Sequence, residues 1–149
     1  MAFSRPAQRR LAEQFREECR ARGMASTHQR QVIYRVAESM TGHPTPEAIY
    51  DRVKREIPSI SLATVYKNLK TFVETGLMRE MSLHHGSLRL DPNPHPHHHL
   101  ICERCRSITD LPGDAIEPVR LTGALPEGFR VERHNVEIIG VCARCAQRQ

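Results

Sequence analysis

The sequence predicts an α+β chain in two parts, helices first and a small strand-containing unit second. Three observations carry that reading. Residues 5–75 hold four stretches of helical periodicity, bounded by capping and breaking residues. Residues 77–91 hold two short runs around His84, His85 and Gly86, the pattern of a hairpin. Beyond them come a histidine-dense run and two Cys-x-x-Cys pairs, Cys102/Cys105 and Cys142/Cys145.

In the first helix, residues 5–22, Leu11, Phe15 and Cys19 recur every four residues, with Ala7 and Ala12 alongside. Cys19 on that stripe reads as a small core residue. The opposite face carries Arg9, Arg10, Arg16, Arg20 and Arg22, diluted by Glu13, Glu17 and Glu18, and fits either phosphate contact or a solvated face. Gly23 ends the helix. Thr27 caps a second helix over 28–40, with Val32, Ile33, Val36, Ala37 and Met40 inward. Gly42 and Pro44 break the chain, and His43 sits in that turn. Thr45 caps a third helix with Pro46 at its first position, where a missing N–H costs nothing. Ile49, Tyr50 and Val53 form its apolar row, and Pro58 stops it. Ser61 caps the fourth, in which Leu62, Val65, Tyr66, Leu69, Phe72 and Val73 follow the helical period. Ala63, Thr64, Lys67, Asn68, Lys70 and Thr71 face away. Small residues there would let the helix enter a major groove, with Lys67 and Lys70 on phosphate and Asn68 on a base edge. An ordinary helical bundle satisfies the same pattern.

Gly76 ends the fourth helix, and the hairpin that follows would be a wing. Pro92, Pro94 and Pro96 stiffen the passage into the second part. There H-H-H-L-I-C and R-S-I-T-D-L read as strands around C-E-R-C. Residues 113–124 read as a helix despite Pro118. Residues 128–142 read as one long strand with Phe129, Val131, Val136, Ile138 and Ile139 as its apolar members.

Composition sets the chemistry. The chain has 149 residues, no Trp and 5% aromatics, so its core is thin and metal would stabilise it. A net charge of +5 mildly favours a polyanionic partner. No apolar run reaches the length of a membrane span and the first residues lack a signal-peptide core, so a cytoplasmic protein without membrane contact is expected. Thiols stay reduced there, which favours metal over disulfides. Cys102, Cys105, Cys142 and Cys145, two knuckles 36 residues apart, would close a tetrahedral site for structural Zn(II). The closed site leaves no position for a substrate.

At this point the motifs accumulate: H-P-T at 43–45, S-L-A-T-V-Y-K-N-L at 61–69, R-L-D at 89–91, H-x-H-x-I-C-x-x-C at 97–105, Asp110, and the last C-x-x-C. Together, over residues 20–146, they resemble the ferric uptake regulator family. The resemblance implies homodimeric, metal-dependent repressors of transcription that bind double-stranded operator DNA. It implies a winged-helix DNA-binding domain at 1–84, a hinge at 85–92, and an α/β dimerisation and metal-binding domain with the four-cysteine zinc site at 93–149. His43, Asp91, His97, His99 and Asp110 take the places of the regulatory ligands, a nitrogen and oxygen set suited to Fe(II) or Mn(II). The DNA-facing set becomes Arg22, Ser61, Ala63, Thr64, Tyr66, Lys67, Asn68 and Lys70.

Asp110 stands where the peroxide-responsive branch of that family has Asp and the iron-responsive branch tends to have Glu. That implies sensing of hydrogen peroxide by iron-catalysed oxidation of His43 or His97. An iron-sufficiency repressor is the alternative. A metalloenzyme is a third reading, without an evident general base, and a metal buffer a fourth. The family's T-P-Q-R departs here to Thr27-His28-Gln29-Arg30. Its further site would draw on Glu117, His134 and His98, since Pro96 offers no ligand and His95 is the other substitute.

Overall fold

The computed structural model describes residues 5–82, 88–93 and 95–148, without the side chains of 5–8 and 82. The expected wing tip with His84 and His85 lies outside the described residues. The chain divides into two compact units, Met1–Pro94 and His95–Gln149.

The first unit holds α1 (Arg5–Ala21), α2 (His28–Ser39), α3 (Pro46–Glu56), α4 (Leu62–Glu74), β1 (Arg79–Ser82) and β2 (Leu88–Asp91). Three helices start where a hydroxyl accepts an otherwise unpaired backbone N–H: Thr27 from Arg30 at 3.3 Å, Thr45 from Ala48 at 3.2 Å, and Ser61 from Thr64 at 3.1 Å. Their apolar faces meet in one core around Phe15, Cys19, Ile33, Ala37, Ile49, Val53, Val65, Leu69 and Phe72. Phe15 and Tyr34 each place a ring 6.1 Å from that of Phe72, edge to face. The period of α4 puts Leu62 and Tyr66 on the apolar row, yet both are exposed, at 37% and 38%. A row of six is wider than the core it meets, so its flanking members face out. β1 and β2 pair antiparallel, Arg79 opposite Asp91 and Ser82 opposite Leu88. Beside them, the Leu90 N–H donates to the Pro44 carbonyl at 3.0 Å, and an Arg89 guanidinium N–H to the His43 carbonyl at 3.3 Å. Those two bonds fasten the turn before α3 to β2.

The second unit is a three-stranded sheet in which β3 (His97–Cys102) lies between β4 (Ile108–Pro112) and β5 (Glu137–Gly140). β3 runs antiparallel to β4 and parallel to β5. A four-residue helix, α5 (Ala143–Ala146), forms within the last Cys-x-x-Cys. Two expectations fail here. Residues 113–124 form only a 3₁₀ turn, Gly113–Ala115. Pro118 lacks an N–H and Gly123 disfavours a helix, so little remains to propagate one. The strand expected over 128–142 is confined to Glu137–Gly140. Arg130, Glu132, Arg133 and His134 crowd the missing part, and no described strand pairs with it. Phe129, Val131, Ile138 and Ile139 are exposed, at 43–60%.

Phe72→Ala should destabilise the chain by roughly 3–5 kcal/mol, the cost of emptying a fully buried ring site, measured by urea unfolding followed at 222 nm. Thr45→Ala should cost about 1 kcal/mol in the same assay.

Candidate metal centres

The four-cysteine cluster follows from strand register. Cys102 ends β3 opposite Gly140 of β5, so Cys142 leaves the sheet beside it. The backbone then turns each pair inward. The Arg106 N–H donates to the Cys102 carbonyl at 2.9 Å, with Arg106 left-handed at φ 60°. The Cys145 N–H donates to the Cys142 carbonyl at 3.0 Å. All four sulfurs lie within 4.8 Å of one another. Arg104 donates to the Cys145 carbonyl at 2.9 Å and fixes the second knuckle.

Charge in the cluster is unbalanced without a cation. The N–H groups of Cys105 and Cys142 pull the Cys102 thiol down to about 6. Ser107, whose hydroxyl lies 3.2 Å from the sulfur of Cys105, pulls that thiol down as well. The Cys145 thiol is pushed up to about 12, first by Cys105 and Cys142 beside it. Four sulfurs this close cannot all ionise unless a dication is among them. Donor type, number and closure fit structural zinc.

The histidine and carboxylate donors fall into one group in each unit. In the first, His43 follows Gly42 in the turn before α3 and is left-handed at φ 58°. A non-glycine residue there costs on the order of 1 kcal/mol. The fastening of that turn to β2 brings His43 Nε2 to 3.7 Å from Asp91 Oδ1, and both side chains are buried. The Asn93 N–H donates to the same carboxylate at 2.9 Å and orients it.

In the second unit, alternation along β3 puts His97 and His99 on one face, and register puts Asp110 of β4 directly across from His99. His97 Nδ1 lies 2.7 Å from the His95 carbonyl oxygen, which can only accept. The proton is therefore on Nδ1, and Nε2 keeps its lone pair. That Nε2 is 2.9 Å from His99 Nε2 and 3.7 Å from Asp110 Oδ1. Two ligands about 2.1 Å from one ion and at right angles are about 3 Å apart, so the spacing suits cis ligands. The contribution of the His95 carbonyl is a backbone one and has no sequence signal.

His98 faces the other way. Its Nδ1 accepts from the Val136 N–H at 3.1 Å, and its ring stacks 6.4 Å from that of His134. Neutral His98 thus carries its proton on Nε2 and ties residue 136 to β3. Glu117 joins no group of three or more ligating side chains among the described residues.

On α4, Ala63, Lys67 and Lys70 are exposed, and Lys70 lies 3.7 Å from Glu74. Ser61 and Thr64 bond each other at 2.8 Å. The amide of Asn68 is engaged at both ends: it accepts from Arg30 Nε at 3.0 Å and donates to the Thr64 carbonyl at 2.8 Å. Asn68 therefore holds α2 to α4 with one carbonyl lone pair and one amide proton, half of the hydrogen-bonding capacity of its amide. Arg22 pairs with Glu18. The Tyr66 hydroxyl donates to Glu47. Contacts between helices such as Arg30 with Asn68 leave no trace in periodicity.

Zinc should be lost in Cys142→Ser, and with it the folded second unit, while the α-helical signal at 222 nm is largely retained; metal analysis and circular dichroism check this. Because zinc and protons compete for the four sulfurs, zinc affinity should weaken progressively as pH is lowered, and release should come below the value of about 6 that the Cys102 thiol has without metal, measured by competition with a chromophoric chelator.

The model of the ferric uptake regulator family matches residues 21–139. A peroxide-responsive repressor of Staphylococcus epidermidis is 38% identical over 128 residues, 86% of this chain and 85% of the relative. One from Staphylococcus aureus is 36% identical over 129 residues, 87% of each chain. The solved peroxide stress regulator of Campylobacter jejuni superposes with a TM-score of 0.66 at 27% identity, over 89% of this chain and 97% of that one. The chain belongs to the ferric uptake regulator family of transcription regulators.

Proposed function

We propose that this chain is a homodimeric repressor that binds double-stranded operator DNA when Fe(II) or Mn(II) is bound, and that hydrogen peroxide inactivates it. The observation that carries the metal switch is the pair of donor groups, His43 with Asp91 and His97 with His99 and Asp110. Neither group alone fills the coordination shell of a hard, octahedral ion. Joined on one ion, they would fix the angle between a winged-helix DNA-binding domain over 1–84 and a dimerisation domain over 93–149, through a hinge at 85–92. DNA and metal would then favour the same arrangement, so each would tighten the other. The exposed Phe129, Ile138 and Ile139 on and near an edge strand support pairing of the second domain with a second copy. No described helix is long and apolar enough to cross a membrane, and a repressor that binds operator DNA would act in the cytoplasm.

The peroxide reading rests on Asp110 and on the names of the similar repressors. Bound ferrous iron would catalyse cleavage of the peroxide O–O bond with no net change in its own oxidation state, the two electrons coming from the imidazole that is oxidised. The imidazole of His43 or His97 takes up one oxygen atom at a ring carbon, and the other oxygen leaves as water. The oxidised ring is a poorer donor, and the clamp opens. Manganese in the same site would be far slower. The DNA-facing set is proposed as Arg22, Ser61, Ala63, Thr64, Tyr66, Lys67 and Lys70, with Asn68 positioning Arg30. A third site from His98, Glu117 and His134 would require His98 to give up its bond to Val136.

Fe(II)-loaded protein given brief, low peroxide should gain one oxygen on peptides containing His43 or His97, while the Mn(II)-loaded protein should not; peptide mass spectrometry decides. Absence of oxidation with metal-dependent DNA binding intact would indicate an iron-sufficiency repressor instead. Mn(II)-loaded protein should enrich a defined duplex from a random-sequence library, and chelator should abolish enrichment. His43→Ala should weaken Mn(II) binding by more than the roughly 10–100-fold lost with outer-sphere changes, measured by titration.

A further inference from the structure

We propose that Glu47 is a positioning residue for DNA reading: its carboxylate holds the Tyr66 phenol in the orientation in which α4 presents it to the duplex. The inference rests on the reading of α4 as the DNA-facing helix.

Tyr66 is 38% exposed on α4, and its hydroxyl donates to Glu47 Oε1. Glu47 lies in the first turn of α3, on a different helix. The bond therefore spans the two helices and removes the freedom of an otherwise solvent-facing ring. It also biases the chemistry that the phenol offers. Its only proton is committed to the carboxylate, so toward DNA it presents a ring edge and oxygen lone pairs. Those fit a thymine methyl or a base amino group, and they do not fit a phosphate oxygen, which needs a donor. The negative charge of Glu47 beside the same surface opposes loose seating on the phosphate backbone. Both effects favour base discrimination over general affinity.

Glu47 is itself well held. Thr45 caps its helix, Pro46 fixes the first position, and the preceding turn is bonded to β2 through Leu90 and Arg89. A carboxylate on so fixed a turn sets the position of its partner. Helical periodicity could not reveal it, because Glu47 is an exposed residue at a helix start and by pattern alone only complements the helix dipole.

The test uses the full chain loaded with Mn(II), the duplex that the wild type enriches from a random library, and a scrambled copy of it. Glu47→Ala and Tyr66→Phe should each lower the ratio of enriched to scrambled affinity by about fivefold, the worth of one hydrogen bond. The double variant should lose no more than either single one. Glu47→Gln, which keeps an acceptor but loses the charge, should retain the share of the ratio that the hydrogen bond supplies and lose only what the charge contributes, seen as tighter binding to the scrambled duplex. Thermal midpoints should match the wild type, so that a folding defect cannot mimic the result. A wild-type ratio in Glu47→Ala, fully additive losses, or an equal loss on the scrambled duplex overturns the inference alone. If the wild type enriches no duplex, the DNA-facing reading of α4 falls and this inference with it.

Discussion

The register of β3 against its two neighbours is the constraint on which both candidate centres depend. Pairing with β4 sets Asp110 across from His99, and pairing with β5 sets Gly140 beside Cys102. A slip of one residue would turn His97 and His99 to the opposite face and bring His98 in their place. It would also move the first cysteine knuckle away from the second. The bond from Val136 to His98 helps hold the register from the far side of the strand. Six residues thus deliver a soft thiolate at one end and borderline imidazole nitrogens along one face, which separates two metal chemistries in a small unit.

The first unit solves a related problem with helices. His43 is carried on the turn before α3 and lies outside any helix. The chain accepts a left-handed residue there and secures it by bonds from β2, the strand that also carries Asp91. The same turn begins α3, so the residue types that serve the metal and those that start the helix are interleaved over 42–47: Gly42 for the bend, His43 for the donor, Thr45 for the cap, Pro46 for the first position.

Much of this was legible because it is local. Caps at Thr27, Thr45 and Ser61 and the spacing of Val65, Leu69 and Phe72 are short-range signals, and the helices form where those signals stand. The cysteine pairs were legible for a different reason: few other roles suit four thiols at that spacing. What was not legible depended on partners distant in sequence. Phe129, Val131 and Val136 suggest a strand through residues 128–136, but four charged or imidazole side chains lie between them, and the ladder with β3 begins at Glu137. Asn68 has the residue type of a base reader, and only the packing of α2 on α4 shows its amide engaged. His98 looks like its neighbours in a row of three histidines until alternation turns it away from them.

The distance along the chain between the two halves of the cysteine cluster has a consequence for synthesis. Cys102 and the Cys142 N–H that bonds its sulfur are 40 residues apart, and β5 pairs with a strand nearly as far upstream. On a ribosome, the helical unit emerges first, and its mostly neighbouring contacts can form as it does. β3 and β4 can pair soon afterwards. The central strand then waits with one edge open and two thiols uncovered until residues 137–145 leave the exit tunnel. Over that interval the nascent chain is most exposed to oxidation and to pairing with the wrong edge, and zinc captured on emergence would end it.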